Sequence, residues 1–458
     1  MHTARELAST ATQKIESWQN RSPFIILILA SIVGTATGLL GSLFHIFINH
    51  TISLRQQFSL HVEHESPYLS YFLIVCITAV MGGFAYYIVQ RFAPESGGSG
   101  IPEVEGALLD LRPVRWWRVI PVKFFGGLGT LGSGMVLGRE GPTVQIGANL
   151  GKMTADICKV KNKESQHTLI AAGAGAGITA AFNAPLGGIL FVLEEMRTEF
   201  TYTKASIKAV IIGCITSCIV YQLIMGSNPI LDLGTYLSSP LKSAWIYIFL
   251  GLFLGLIGSI SNSLILILRH IFGLFYQKKR YFFPLTGAVL AGSFGVLSLL
   301  KPEITGGGFA LLPNLVDGII MFYPLFIILC LRFIATILCF GSGAPGGVFS
   351  PTIALGAIIG VMFGMIAQPI FPQYDIELLS CAVLGMAGLF AATIRAPLTG
   401  IIIVMEMTGS FVLILPLIIT CLAATFMAQT LGATPLYSAI LKNTLGSSES
   451  EPELSKEK

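Results

Sequence analysis

Gly138-Arg139-Glu140-Gly141-Pro142-Thr143-Val144-Gln145-Ile146-Gly147 has a second, altered copy in the same chain. An offset of 209 residues lays Gly141–Gly147 over Ser350-Pro351-Thr352-Ile353-Ala354-Leu355-Gly356, and carries Gly151 onto Gly360 and Met153 onto Met362. The same offset sets Ser96-Gly97-Gly98 on Thr305-Gly306-Gly307. Further along, an offset of 212 sets Ala180-Ala181-Phe182-Asn183-Ala184-Pro185-Leu186 on Ala392-Thr393-Ile394-Arg395-Ala396-Pro397-Leu398. Blocks that recur in the same order mark a duplicated chain. The expected organisation is a first repeat over 23–226 and a second over 243–442, joined by a connector at 227–242. A short segment, 1–22, precedes them and a polar tail, 443–458, follows.

Composition places both repeats in a membrane. Of 458 residues, 53% are hydrophobic and 11% charged, against roughly 25% charged in a soluble domain. Mean hydropathy is +0.76. Apolar stretches long enough for the ~20-residue crossing run over Pro23–Ile48, Tyr68–Val89, Ile207–Ile224, Trp245–Leu268, Leu325–Phe340 and Phe411–Leu431. The fold class is therefore an all-α polytopic membrane protein of two homologous halves, with tilted and broken helices. The halves are expected to be inverted, as in many transporters. Arg5, Lys14 and Arg21 precede the first apolar stretch and point to a cytosolic N-terminus; that stretch is too long, and too deep behind a polar start, for a signal peptide.

The breaks are at Gly97–Pro102, Gly138–Pro142 and Gly341–Pro351. Open backbone in lipid costs several kcal/mol per unsatisfied group, so such breaks must lie inside protein or line a watery cavity. A helix that starts there carries free N–H groups and about half a positive charge at its end. Several such ends aimed at one point hold an anion without a fixed cation. The two copies differ where this matters: Glu140 lies opposite Phe349, Ser99 opposite Gly308 and Glu195 opposite Met407, whereas Glu194 matches Glu406. Polar groups kept on one side of a duplicated frame suggest chemistry rather than architecture.

Gly98-Ser99-Gly100-Ile101-Pro102, Gly138-Arg139-Glu140-Gly141-Pro142 and Gly346-Gly347-Val348-Phe349-Ser350-Pro351, with a late Tyr437, resemble the CLC family of chloride channels and chloride/proton antiporters. The likeness runs from about residue 23 to residue 442 and is nearest to the compact bacterial antiporters. The chain ends about twenty residues past Tyr437, so the paired regulatory domains of eukaryotic members are not expected. The resemblance implies exchange of chloride for protons across the cell inner membrane by a homodimer with one pore per subunit. Its alternative is a passive voltage- or pH-gated chloride channel of the same fold. It makes the Ser99 and Tyr437 hydroxyls donors to the central chloride, with backbone N–H groups from Val348, Phe349 and Gly141 completing the site. It makes Glu140 the outer gate and proton carrier, and Glu195 the internal proton acceptor.

Each residue also fits a plainer role. Serine among glycines packs helices or caps them, and a late tyrosine is a common interfacial aromatic. Glu195 could be a charge at the membrane edge reaching for water. Glu140 could pair with Arg139 or favour a helix start, although a carboxylate in mid-membrane costs about 2.5–3.5 kcal/mol and is by default a functional hypothesis. Arg332, Arg395 and Glu406 are expected to form structural pairs.

Other classes find no support. There is no GxxxxGK[ST] nucleotide loop, no HExxH and no GxSxG, so neither an enzyme nor a resident cofactor is expected. No basic stripe suits nucleic acid. His61 and His64, with Glu63 between them, fit a solvated connector better than a metal site. The eight scattered cysteines, with Cys214 and Cys218 one turn apart, read as free thiols.

Overall fold

The computed structural model of the chain describes residues 23–63, 67–196, 202–231, 241–316 and 321–449. Segment 1–22, most of the connector, His64, and the end of the polar tail lie outside these residues, as do Arg5, Lys14 and Arg21. The first half carries α1 (Pro23–Glu63), α2 (Pro67–Phe92), α3 (Ile101–Leu108), α4 (Trp116–Gly132), α5 (Glu140–Ile157), α6 (Lys163–Phe182), α7 (Pro185–Glu195) and α8 (Lys204–Met225). The second half repeats that order with α9 (Ala244–Lys278), α10 (Phe282–Leu300), α11 (Leu312–Val316), α12 (Phe322–Gly341), α13 (Phe349–Ile370), α14 (Leu378–Ile394), α15 (Pro397–Thr408) and α16 (Ile414–Thr430). A further helix, α17 (Leu436–Glu449), has no counterpart; residues 443–449 of the expected tail belong to it. No strand occurs among the described residues.

The helical packing repeats as well. In the first half α5 packs on α6, and α1 on α6 and α8; in the second, α13 packs on α14, and α9 on α14 and α16. Glycines set the closest of these contacts. Gly147 of α5 and Gly173 of α6 meet backbone to backbone, each filling the space a Cβ of the other would need, and Gly356 and Gly385 do the same between α13 and α14. Small residues are what allow helices to approach so closely in a membrane. Gly147→Leu is expected to lower stability by more than about 1–3 kcal/mol, the usual cost of overpacking, because the opposing atom is a carbonyl that cannot swing aside. Thermal unfolding in detergent measures it.

Equivalent elements also meet across the molecule: α2 with α10, and α7 with α15. Gly138 and Gly347, equivalent residues, exchange both backbone hydrogen bonds at 2.7 Å in an antiparallel bridge. At the far side the Glu194 carboxylate accepts from Leu398 N (3.1 Å) and Thr399 N (2.7 Å). Glu406 likewise accepts from Leu186 N (3.1 Å) and Gly187 N (2.8 Å). The end of each helix thus caps the start of the other, so α7 and α15 lie antiparallel. Reciprocal contacts between equivalent residues are the mark of a local two-fold axis.

Among the described residues, eight helices are long and apolar enough to cross a membrane. They include Phe282–Leu300 and Phe349–Ile370, which the apolar-stretch reading leaves out, and α1 runs 15 residues beyond its expected end at Ile48. Many large hydrophobic side chains are exposed, among them Phe24, Ile28, Phe72, Val80, Leu223, Phe253, Ile334 and Phe426. By contrast α5, α6 and α14 are enclosed by other helices almost throughout. Of these, α5 and α6 are rich in Gly, Ala and Thr, so hydropathy alone does not reveal them, whereas α14 is strongly apolar but short.

Candidate functional site

Three helix starts meet near the centre of the molecule. α3 begins after Gly100, held at φ 88°, α5 after Arg139 and α13 after Val348, and none has a side-chain cap. Pro142 and Pro351 are each third in their helices, where the missing N–H is an orphan anyway. The Gly138–Gly347 bridge holds the starts of α5 and α13 side by side, so that a Cβ on Gly347 would lie 2.8 Å from Gly141 N. A Cβ on Gly141 would lie 2.6 Å from both the carbonyl and the hydroxyl oxygen of Ser99. Glycine at these two positions lets three backbones come together.

Glu140, at the first position of α5, has no exposed surface. One carboxylate oxygen accepts from the Ser350 hydroxyl; the other lies 3.4 Å from Ser350 N, in the first turn of α13. The carboxylate of one half therefore occupies N–H and O–H donors at the helix start of the other. Arg139 turns away and donates to Ala181 O at 2.8 Å, so the expected alternative of an Arg139–Glu140 pair does not form. Ser350 is a residue that the sequence reading passed over. A signal was available, because Ser350 is the repeat partner of Gly141, another place where the halves diverge in polarity.

Ser99 and Tyr437 are both buried and face one another closely enough for their hydroxyls to interact, yet neither reaches full hydrogen-bond geometry with a protein group. Buried hydroxyls are nearly always bonded, so this pair is suited to a ligand that accepts from both. The Tyr437 hydroxyl also lies within electrostatic reach of Glu195, Glu140 and Glu105. Val348 and Phe349 are buried at the start of α13. The Phe349 ring contacts Phe182 and Phe191 of the first half, and Phe390 (centroids 4.8 Å apart) and Tyr437 (5.8 Å) of the second. It thereby locks the donor cluster to both halves. Glu195 ends α7 and is half-buried, while its neighbour Glu194 is committed to the start of α15.

Arg332, Arg395 and Glu406 are structural, though not as ion pairs with one another. Arg332 donates to the carbonyls of Glu303, Thr305 and Gly306, and Arg395 to Ala433 O. Lys123, the repeat partner of Arg332, donates to Ser96 O (3.0 Å) and Gly98 O (2.7 Å). In each half a buried cation thus ties down the loop before the short helix. All eight cysteines are free, and no group of three metal-ligating side chains occurs among the described residues.

Broken helices in two related halves, with a buried carboxylate seated on donors at their junction, define a polytopic membrane transport protein rather than an enzyme. A sequence profile of the voltage-gated chloride channel family matches residues 81–429. The chain belongs to that family. It is 48% identical over 433 residues, 94% of this chain and 91% of the relative, to the H(+)/Cl(-) exchange transporter ClcA of Salmonella paratyphi B. The ClcA of Salmonella newport matches equally. Among solved structures, a slow cyanobacterial Cl-/H+ antiporter is similar at a TM-score of 0.88 with 36% identity, covering 92% of this chain and 98% of that one. A eukaryotic CLC transporter shares the fold at a TM-score of 0.75 with 23% identity, covering 91% of this chain and 73% of that one.

Proposed function

We propose that this protein is a secondary active transporter that exchanges chloride for protons, with Glu140 as the gate. The observation that carries the reading is the seat of the Glu140 carboxylate on Ser350 N and Oγ, beside the two buried hydroxyls of Ser99 and Tyr437, which reach no protein group in full hydrogen-bond geometry. A carboxylate oxygen is a small anion and competes with chloride for the same donors. Ionised, it blocks the path; protonated, it loses the charge that holds it there and leaves the donors to chloride. The Ser99 and Tyr437 hydroxyls, with N–H groups at Gly141, Val348 and Phe349, then replace the ion's hydration without a full positive charge. Glu195 supplies protons from the inner side.

The two halves are inverted repeats about an axis in the membrane plane, a reading supported by the antiparallel pairing of equivalent residues. Repeats 23–226 and 243–442 contribute to one pore per chain, and the family likeness favours a homodimer in the cell inner membrane with cytosolic termini.

Proteoliposome flux with chloride and pH electrodes in one vessel tests the function. Uphill proton movement driven by a chloride gradient is the expected result. Chloride flux without it would make the protein a channel of the same fold, and silence on both electrodes would remove transport altogether. Selectivity tests the site. Ser99→Pro removes one neutral donor, worth about 0.5–1.5 kcal/mol, and is expected to shift relative nitrate use upward by roughly two- to tenfold in competition flux. Unchanged selectivity in an active variant would place Ser99 outside the ion path.

A further inference from the structure

Four helix ends gather on one side of the molecule, next to the loop that carries Ser99. α2 ends at Phe92 and α9 at Lys278, while α4 starts at Trp116 and α10 at Phe282. Ile88, Val89 and Ala93 pack there with Val119 and Val122 of α4 and with Phe283 of α10. The Phe283 ring also lies against Tyr86 of α2 (centroids 4.7 Å apart) and Tyr276 of α9 (5.0 Å). Gln90 Nε2 donates to Arg280 O at 2.8 Å. The four ends therefore form one surface.

That surface is basic. Arg91, Arg118, Lys278, Lys279 and Arg280 are all exposed, and among the described residues none of them forms a salt bridge. None of the four helices carries an Asp or a Glu. The next acid along the chain, Glu95, is held two-pronged by Arg115 at 2.8 and 2.7 Å. The helix dipole accounts for only part of the cluster. Arg91 and Lys278 stand at helix C-termini, where a cation is favoured, but Arg118 lies in the first turn of α4, and Lys279 and Arg280 lead into the start of α10. Those ends carry positive partial charge and favour anions. Three cations at unfavourable helix ends, beside two more and with no acid to pair with, call for a negative ligand. Phe92, Trp117 and Tyr281 are exposed among them, and such aromatics sit at headgroup depth in a bilayer.

We propose that the joined ends of α2, α4, α9 and α10 bind the headgroup of an anionic phospholipid. The basic side chains meet the phosphate, and Phe92, Trp117 and Tyr281 meet the glycerol and the upper acyl chains. The apolar spans end or begin at Phe92, Lys278 and Phe282, so the cations stand where a headgroup lies. Because α1 and α2 cross in succession, this is the side on which α1 begins, the cytosolic leaflet in the topology given above. α4 also holds the Ser99 loop, since Lys123 donates to Ser96 O and Gly98 O, so a lipid bound here steadies that loop. The proposal rests on membrane residence and not on the exchange of chloride for protons. A Lys or Arg near an anionic bilayer surface contributes roughly fivefold in affinity.

Thermal unfolding of the purified full chain in a neutral detergent tests it, with phosphatidylglycerol, phosphatidylcholine or inorganic phosphate titrated in. For wild type, phosphatidylglycerol is expected to raise the midpoint saturably, while phosphatidylcholine and inorganic phosphate leave it in place. The triple variant Arg91→Gln/Arg118→Gln/Arg280→Gln should need roughly ten- to hundredfold more phosphatidylglycerol for the same shift, three cations having been removed. A second triple variant, Lys159→Gln/Lys204→Gln/Lys442→Gln, loses the same charge from exposed positions elsewhere and should respond as wild type does. Equal shifts with phosphatidylglycerol and phosphatidylcholine in wild type overturn the proposal without recourse to any variant. So does a shift produced by phosphate alone, which would mark a free-anion site, or an equal loss of response in both triple variants, which would mark net charge rather than this surface. Each of these results leaves the transport reading standing, because chloride and proton flux are measured separately.

Discussion

Replacing Glu140 by Gln is expected to leave chloride flux running while proton movement falls below detection. The carboxylate holds its place through two donors of Ser350, the amide and the hydroxyl. Glutamine keeps one acceptor oxygen, but it sets an amide donor against the second donor and carries no charge. A hydrogen bond to a charged group is worth about 1.5–3 kcal/mol, so the side chain's hold on this position should weaken by roughly ten- to hundredfold. The donors then serve chloride, and the group that carried the proton is gone. Chloride flux should also lose most of its pH dependence, since the gate no longer titrates. Bromide-soaked crystals of the variant should show an additional anion where the carboxylate was, near Ser350 and Gly141. Intact proton coupling in a well-folded Glu140→Gln protein would sink the exchange mechanism while leaving the fold untouched.

The second large effect is expected at Glu195. Glutamine there keeps the shape and removes the titratable group, so chloride flux should persist while coupled proton flux drops below detection in the two-electrode assay. The adjacent carboxylate provides a control. Glu194 is bound to the amides of Leu398 and Thr399 and to the Thr399 hydroxyl. Removing it in Glu194→Ala leaves the start of α15 without its acceptor, and the expected loss is one of stability, about 1–3 kcal/mol, read by thermal unfolding. Protons pumped at the parent rate by Glu195→Gln would move the assignment to Glu194 and reverse the two roles.

The repeat was legible because both copies must make the same tight contacts. Gly147 and Gly356 each pack on a backbone carbonyl of the next helix, which excludes any larger side chain, and the two glycines stay in register over 209 residues of sequence. Membrane residence was legible for a related reason: lipid accepts only apolar side chains on α1, α2, α8, α9 and α12, and that demand shows directly as hydropathy. Helices α5 and α6 met no such demand. Other helices enclose them, so their composition reports close packing rather than lipid contact, and their roles as helices came from the fold.

The site divides in the same way. Polar asymmetry between the copies singled out Ser99, Glu140 and Glu195, since a polar group that one half keeps and the other lacks has no architectural need. It did not single out Ser350, whose hydroxyl matters only because the Gly138–Gly347 bridge brings the start of α13 to the Glu140 carboxylate. Nor could it separate Glu194 from Glu195, two adjacent carboxylates of which one is committed to a helix start 204 residues away. The duplication and the membrane setting were determined by the sequence alone, because repeated blocks and composition carry them. Which donors face which carboxylate was decided only by the tertiary structure, because a hydrogen bond between halves depends on a two-fold arrangement that no local stretch encodes.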